Sequence, residues 1–148
     1  MKVAIVKFGS YGLVFAFAAF LAGLYFDITT NVALGYATII ISLLFVYAGI
    51  RYFRDKENNG KLSFKQAIIT GLLISTCTAI GIAIADYVYT TTINPDFFME
   101  YAAKLKEKDP SAKIQEFTSG QAALFMFVVV FIIGLIISLL SSLILQRK

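Results

Sequence analysis

Hydrophobic and polar positions in this chain are sorted into long blocks. Phe8 to Phe26 runs for 19 residues without a charge. Val32 to Tyr52 is interrupted only by Arg51, Ala67 to Val88 only by Asp86, each near the end of its run, and Ala122 to Leu145 by nothing. At about 1.5 Å rise per residue each run reaches roughly 28–36 Å, against a hydrocarbon core about 30 Å thick. The runs are too long for strands, and open sheet edges are not tolerated in lipid. The pattern predicts an all-α membrane protein: a four-transmembrane-helix bundle forming a single integral membrane domain over 1–148. The helices are expected at about 8–26, 32–53, 64–89 and 121–145.

Polar punctuation separates the runs. Asp27-Ile28-Thr29-Thr30-Asn31 is a short link that makes the first two helices antiparallel neighbours, with Asn31 placed to cap the second. Asn58-Asn59-Gly60 is a turn in which Gly60 can take φ > 0 and close the preceding helix. Ser63-Phe64-Lys65-Gln66 has capping-box spacing, which starts the third helix. The third connection, Thr90 to Gln121, is long and polar. Asn94-Pro95 is expected to open a helix there, proline standing where its missing N–H costs nothing. Phe98, Tyr101, Ala102 and Leu105 follow at i, i+3, i+4, i+7, one apolar face, with Lys104, Lys106, Glu107 and Lys108 largely off it. Asp109-Pro110 ends that helix and opens a further turn carrying Ile114 and Phe117. An amphipathic segment over about 95–118 is therefore expected to lie on the membrane surface or to cap the bundle.

Composition sharpens the picture. The 148 residues are 59% hydrophobic and 15% charged, with mean hydropathy +0.80, more apolar than a small soluble domain can bury. There is no His, which removes the commonest metal ligand and the commonest base near neutral pH. Cys77 is alone, which excludes an internal disulfide and a cysteine metal cluster. The net charge of +4 forms no stripe on a soluble face, so no nucleic-acid partner and no cofactor is expected.

The basic residues set an orientation instead. Lys2 and Lys7 stand at the amino end, Arg147 and Lys148 at the carboxyl end, and Arg51, Arg54, Lys56, Lys61 and Lys65 around the second link. The first link has only Asp27. The third has four lysines against six acids, counting from Asp86. By the positive-inside rule both termini and the second link face the cytoplasm. Lys2 and Lys7 before Ala16-Phe17-Ala18 also match a secretory signal, but only about eight apolar residues precede that site. The run continues to Phe26, so an uncleaved first helix is expected.

Helices in lipid associate by close packing, and small residues recur every four positions. Ala67, Gly71, Ser75, Ala79 and Ala83 form one stripe, Gly134, Ser138 and Ser142 another, and Ala19 with Gly23 a shorter one. These are expected helix contacts. Read otherwise, Ser75, Thr78, Ser138 and Ser142 would line a polar path, but membrane hydroxyls usually bond their own i−4 carbonyl. Asp86 is the charge nearest mid-membrane and the candidate polar site. Arg51, Arg54 and Lys65, above Tyr52, Phe53 and Phe64, are candidate contacts for anionic lipid phosphates.

That basic stretch carries a likeness. Arg51-Tyr52-Phe53-Arg54-Asp55, Asn59-Gly60, Ser63-Phe64-Lys65-Gln66-Ala67, Gly71 and Pro95-Asp96-Phe97 resemble a bacterial membrane-protein family catalogued only as a domain of unknown function. The likeness spans nearly the whole chain. It implies a four-helix inner-membrane protein and supplies no activity or catalytic residue.

No Gly-rich phosphate cradle and no Ser/His/Asp set occurs, and Asp86, Asp96 and Glu100 fit no acid–base spacing. An enzyme is not expected. The sequence favours a non-catalytic membrane protein that packs against a partner or its own copies, or binds lipid. The alternative is a small oligomeric transporter or channel component, although no repeat or broken helix marks a midplane site.

Overall fold

The computed structural model describes residues 1–29 and 31–146; Arg147 and Lys148, used above for orientation, lie outside them. Five helices follow one another: α1 Lys2–Tyr25, α2 Val32–Tyr52, α3 Phe64–Val88, α4 Phe97–Lys108 and α5 Ser119–Leu145. Short π-helical turns, Phe53–Glu57 and Tyr89–Ile93, extend α2 and α3. With those turns counted, α1, α2, α3 and α5 are each long and apolar enough to cross a membrane.

Side-chain chemistry sets the helix ends. Asn31 accepts from the Ala33 and Leu34 amides at 3.0 and 3.4 Å and starts α2. Ser63 Oγ accepts from the Gln66 amide at 3.3 Å while Gln66 Oε1 accepts from the Ser63 amide at 3.1 Å, starting α3. Thr118 and Gln121 repeat this box at the start of α5. The α2–α3 turn closes on two left-handed residues, Asn59 at φ 51 and Gly60 at φ 78, and the Gly60 amide donates back to the Arg54 carbonyl at 2.8 Å.

Two boundaries differ from expectation. α1 begins at Lys2 and not near Phe8, because Glu57 reaches across to its first turn: Oε1 accepts from the Ala4 amide at 2.6 Å and Oε2 pairs with the Met1 amine. A carboxylate there satisfies orphan N–H groups and opposes the helix dipole. α4 starts at Phe97 rather than Pro95. The π turn carries α3 to Ile93, and Asn94 then bonds forward, its Nδ2 donating to Glu100 Oε2 at 3.0 Å. Past Lys108 the expected turn is present: Ser111 donates its amide and hydroxyl to Asp109 Oδ1, the Ala112 amide donates to the Asp109 carbonyl at 3.0 Å, and the chain then runs irregularly to Thr118.

α2 and α3 form the short diagonal of the bundle. Each packs on both α1 and α5, which stand at opposite corners. Half of the most apolar stretch of α3 is buried inside the bundle and only 17% of that of α5. α5 therefore presents most of its surface outward, and its near-continuous Val, Ile and Leu suit lipid.

Close approach follows the small residues. Gly71 faces Ser138, and Gly134 faces Ser75, across the α3–α5 seam. Ala67 and Ala79 are fully buried, and Ala83 is half-buried. On its other side α3 meets α1 through Cys77 at Gly9, Thr78 at Gly12 and Gly81 at the Leu13 backbone. The α1 contact thus uses Gly9 and Gly12, and Gly23 instead accommodates Thr29 of the adjoining link. The hydroxyls of Ser75, Thr78 and Ser138 donate to the carbonyls of Gly71, Ile74 and Gly134 in their own helices at 2.8, 3.2 and 2.7 Å, and Ser142 donates to Leu139 at 2.7 Å.

Candidate functional site

The two ends of the bundle differ. At the end carrying the α2–α3 turn, both arginines close on one acid. Arg54 Nε lies 2.6 Å from Asp55 Oδ1, and Arg51 Nε 3.6 Å from Oδ2. Arg54 Nη1 also reaches the Leu145 carbonyl at 3.5 Å, tying the end of α5 to this turn. Lys65 is exposed outside that pair. Phe53 is buried and Phe64 exposed, while Tyr52 lies 5.0 Å beneath the Lys7 ammonium. The expected phosphate ring is thus divided: Asp55 already neutralises part of it.

The opposite end holds a cavity of about 1070 Å³. Its floor follows from local chemistry on α3. Thr90 and Thr91 turn their hydroxyls back onto the Asp86 and Tyr87 carbonyls at 2.8 and 2.6 Å, a bonding that loosens helix ends. The helix widens there into its π turn, a distortion frequent at functional sites. One turn earlier Asp86 enters the cavity wall with 6% of its surface exposed. Its Oδ2 is buried and has no hydrogen-bond partner among the described residues. Thr29 Oγ1, on another wall, is buried and equally unpartnered.

The walls are apolar and aromatic: Phe20 and Leu24 from α1, Tyr36 and Ile39 from α2, Phe125, Met126 and Val129 from α5. The roof is α4 together with the irregular strap that follows it. Phe97, Phe98, Tyr101, Ala102 and Leu105 face inward from α4, with Ile114 and Phe117 from the strap. The face predicted from heptad-like spacing is therefore the one turned to the cavity. Lys104 anchors the roof to the α1–α2 link, 3.6 Å from Asp27. Phe97 lies edge-on to Tyr89 at 5.6 Å between ring centres, and Ser119 Oγ donates to the Thr90 carbonyl at 3.4 Å.

Of Asp86, Asp96 and Glu100, only Asp86 lines the cavity; Glu100 bonds Asn94, and Asp96 makes no side-chain cap, while the exposed Glu116 of the strap borders the cavity at its rim. Among the described residues no group of three His, Cys, Asp or Glu side chains stands close enough to hold a metal ion. The strap, Tyr36 and Thr29 carry no motif. Only their aromatic, aliphatic or hydroxyl character marked them, and many other positions share it.

The fold and site define a class: an all-helical chain with four membrane-length helices and a roofed aromatic cavity at one end. Residues 7–147 match the family model described as Protein of unknown function (DUF4199), and the chain belongs to that family. Neither curated proteins nor solved structures give a match.

Proposed function

We propose that the chain is a non-catalytic, multi-pass protein of a bacterial cytoplasmic membrane that holds an apolar molecule drawn from the bilayer. The roofed cavity carries this reading. Its volume of about 1070 Å³ is at the upper end of the roughly 300–1,000 Å³ of small-molecule pockets. Apolar and aromatic walls suit hydrocarbon, and one buried carboxylate without an acid, base or nucleophile partner suits binding better than catalysis. On this reading the basic end faces the cytoplasm, where Arg51 and Lys65 meet anionic headgroups. The outward face of α5 is the surface for a membrane partner or a second copy.

A neutral alkyl diazirine photolysed in membranes holding the full chain tests the reading. Adducts are expected on Tyr36, Phe125 and Met126, and Ala122→Trp, which puts an indole ring into the cavity, should reduce them while leaving adducts on the outer face of α5. Labelling of outward residues alone, unchanged by Ala122→Trp, would overturn it.

A further inference from the structure

Resting on that reading, we propose that the ligand is a monovalent organic cation with an apolar or aromatic body, seated with its charge on Asp86. A carboxylate 6% exposed in an apolar wall is costly unless something supplies its missing partner. Nothing described does so: Oδ2 is without a hydrogen bond, and the described residues form no ion pair with Asp86 within 4.0 Å. The cavity is far larger than a water or a bare ion requires.

The surroundings choose the kind of cation. Hard inorganic ions demand about six oxygen ligands, whereas the buried side-chain polar groups of the wall are the Asp86 carboxylate and the Thr29 hydroxyl, the oxygens of Tyr36, Tyr101, Gln115 and Glu116 belonging to exposed residues. Rings of Phe20, Tyr36, Phe97 and Phe98 line the same space, and aromatic faces attract a desolvated organic cation by about 2 kcal/mol in favourable cases. The cavity's basic side chains, Lys106 and Lys113, are exposed roof residues, with Glu116 on the same strap. The buried part therefore carries negative charge alone, one unit, which sets the ligand's charge at one.

The experiment compares ions of one shape and opposite charge on the full chain in nanodiscs. Tetraphenylphosphonium should bind saturably, tetraphenylborate at least tenfold more weakly, and Asp86→Asn should lower phosphonium affinity at least tenfold. Asp86→Glu, which keeps the charge, should retain most of it. Neutral diazirine labelling of the cavity serves as the folding control for each variant and should persist in Asp86→Asn. Equal binding of the two ions, or phosphonium affinity unchanged by Asp86→Asn while the cavity still labels, would overturn the cation and leave the apolar site standing. Loss of cavity labelling in the unaltered chain would overturn both.

Discussion

Gly81→Ala isolates the contact between α1 and α3. A methyl at that position would stand 3.1 Å from the Leu13 carbonyl carbon and 3.2 Å from its Cα, and nearer still to the carbonyl oxygen. Those atoms are backbone and cannot rotate aside, so α1 would have to shift along a seam that also holds Gly9 against Cys77 and Gly12 against Thr78. Such overpacking costs roughly 1–3 kcal/mol. Replacing a helical glycine by alanine contributes up to about 1 kcal/mol in the other direction. The net should be a destabilisation between about zero and 2 kcal/mol. Gly120→Ala is the control: it lies in α5 with nothing within 4 Å of the added methyl, so it keeps the gain without the clash. Unfolding in mixed detergent–SDS micelles, followed by circular dichroism, should rank Gly81→Ala below Gly120→Ala by about 1–3 kcal/mol, the clash alone. Because the obstacle is backbone, adding Leu13→Ala should give no rescue. Equal stability of the two glycine variants, or rescue by Leu13→Ala, would refute the close approach.

Gly71→Leu should lower the melting temperature in detergent, since Ser138 occupies the space it needs; an unchanged value would count against the α3–α5 seam. Gly71→Ala should be partly rescued by Ser138→Gly, unlike the Gly81 case, because there the obstruction is a side chain. Ser63→Ala and Thr118→Ala should each cost about 1 kcal/mol through a lost cap, visible as faster hydrogen exchange in the first turns of α3 and α5. Asp86→Leu should raise the melting temperature of ligand-free protein by removing a buried oxygen without a partner, and a fall would mean the carboxylate is satisfied. Replacing Arg51 and Arg54 with Gln should reduce bound anionic lipid only in part, because Asp55 already offsets one of the two charges and Lys65 stays exposed; complete loss of retained lipid would contradict that.

The four long helices were legible because the requirement they meet is one-dimensional: a run of apolar residues must be as long as a bilayer is thick. The Asn31 cap and the Ser63–Gln66 box were legible for the same reason, each being complete within a few residues. The Thr118–Gln121 box has the same spacing and is equally local. What escaped depended on residues far apart in the chain. Glu57 caps α1 across more than fifty positions, which no local pattern records. The small-residue stripe on α3 marks one seam, but the opposite seam joins Cys77 and Gly81 with the larger Thr78, and a seam with so few small residues does not stand out as a stripe. Asp86 was visible as an isolated charge, and the face carrying Phe98, Tyr101 and Leu105 as an amphipathic stripe. That one roofs the cavity whose wall contains the other is a fact of tertiary geometry.

The hydroxyls between the helices bear on how the bundle assembles. Ser42, Ser75, Thr76, Thr78 and Ser138 each donate to the carbonyl four residues earlier in their own helix. These polar atoms are therefore satisfied within their own helices, and docking against a neighbour does not exchange their hydrogen bonds. Cohesion then rests on fit between surfaces, whose strength falls steeply with separation. A bundle held in this way separates along a seam without stranding these donors in lipid. Sideways entry of a guest molecule between α2 and α5, both of which border the cavity, then costs packing at that seam rather than broken polar bonds.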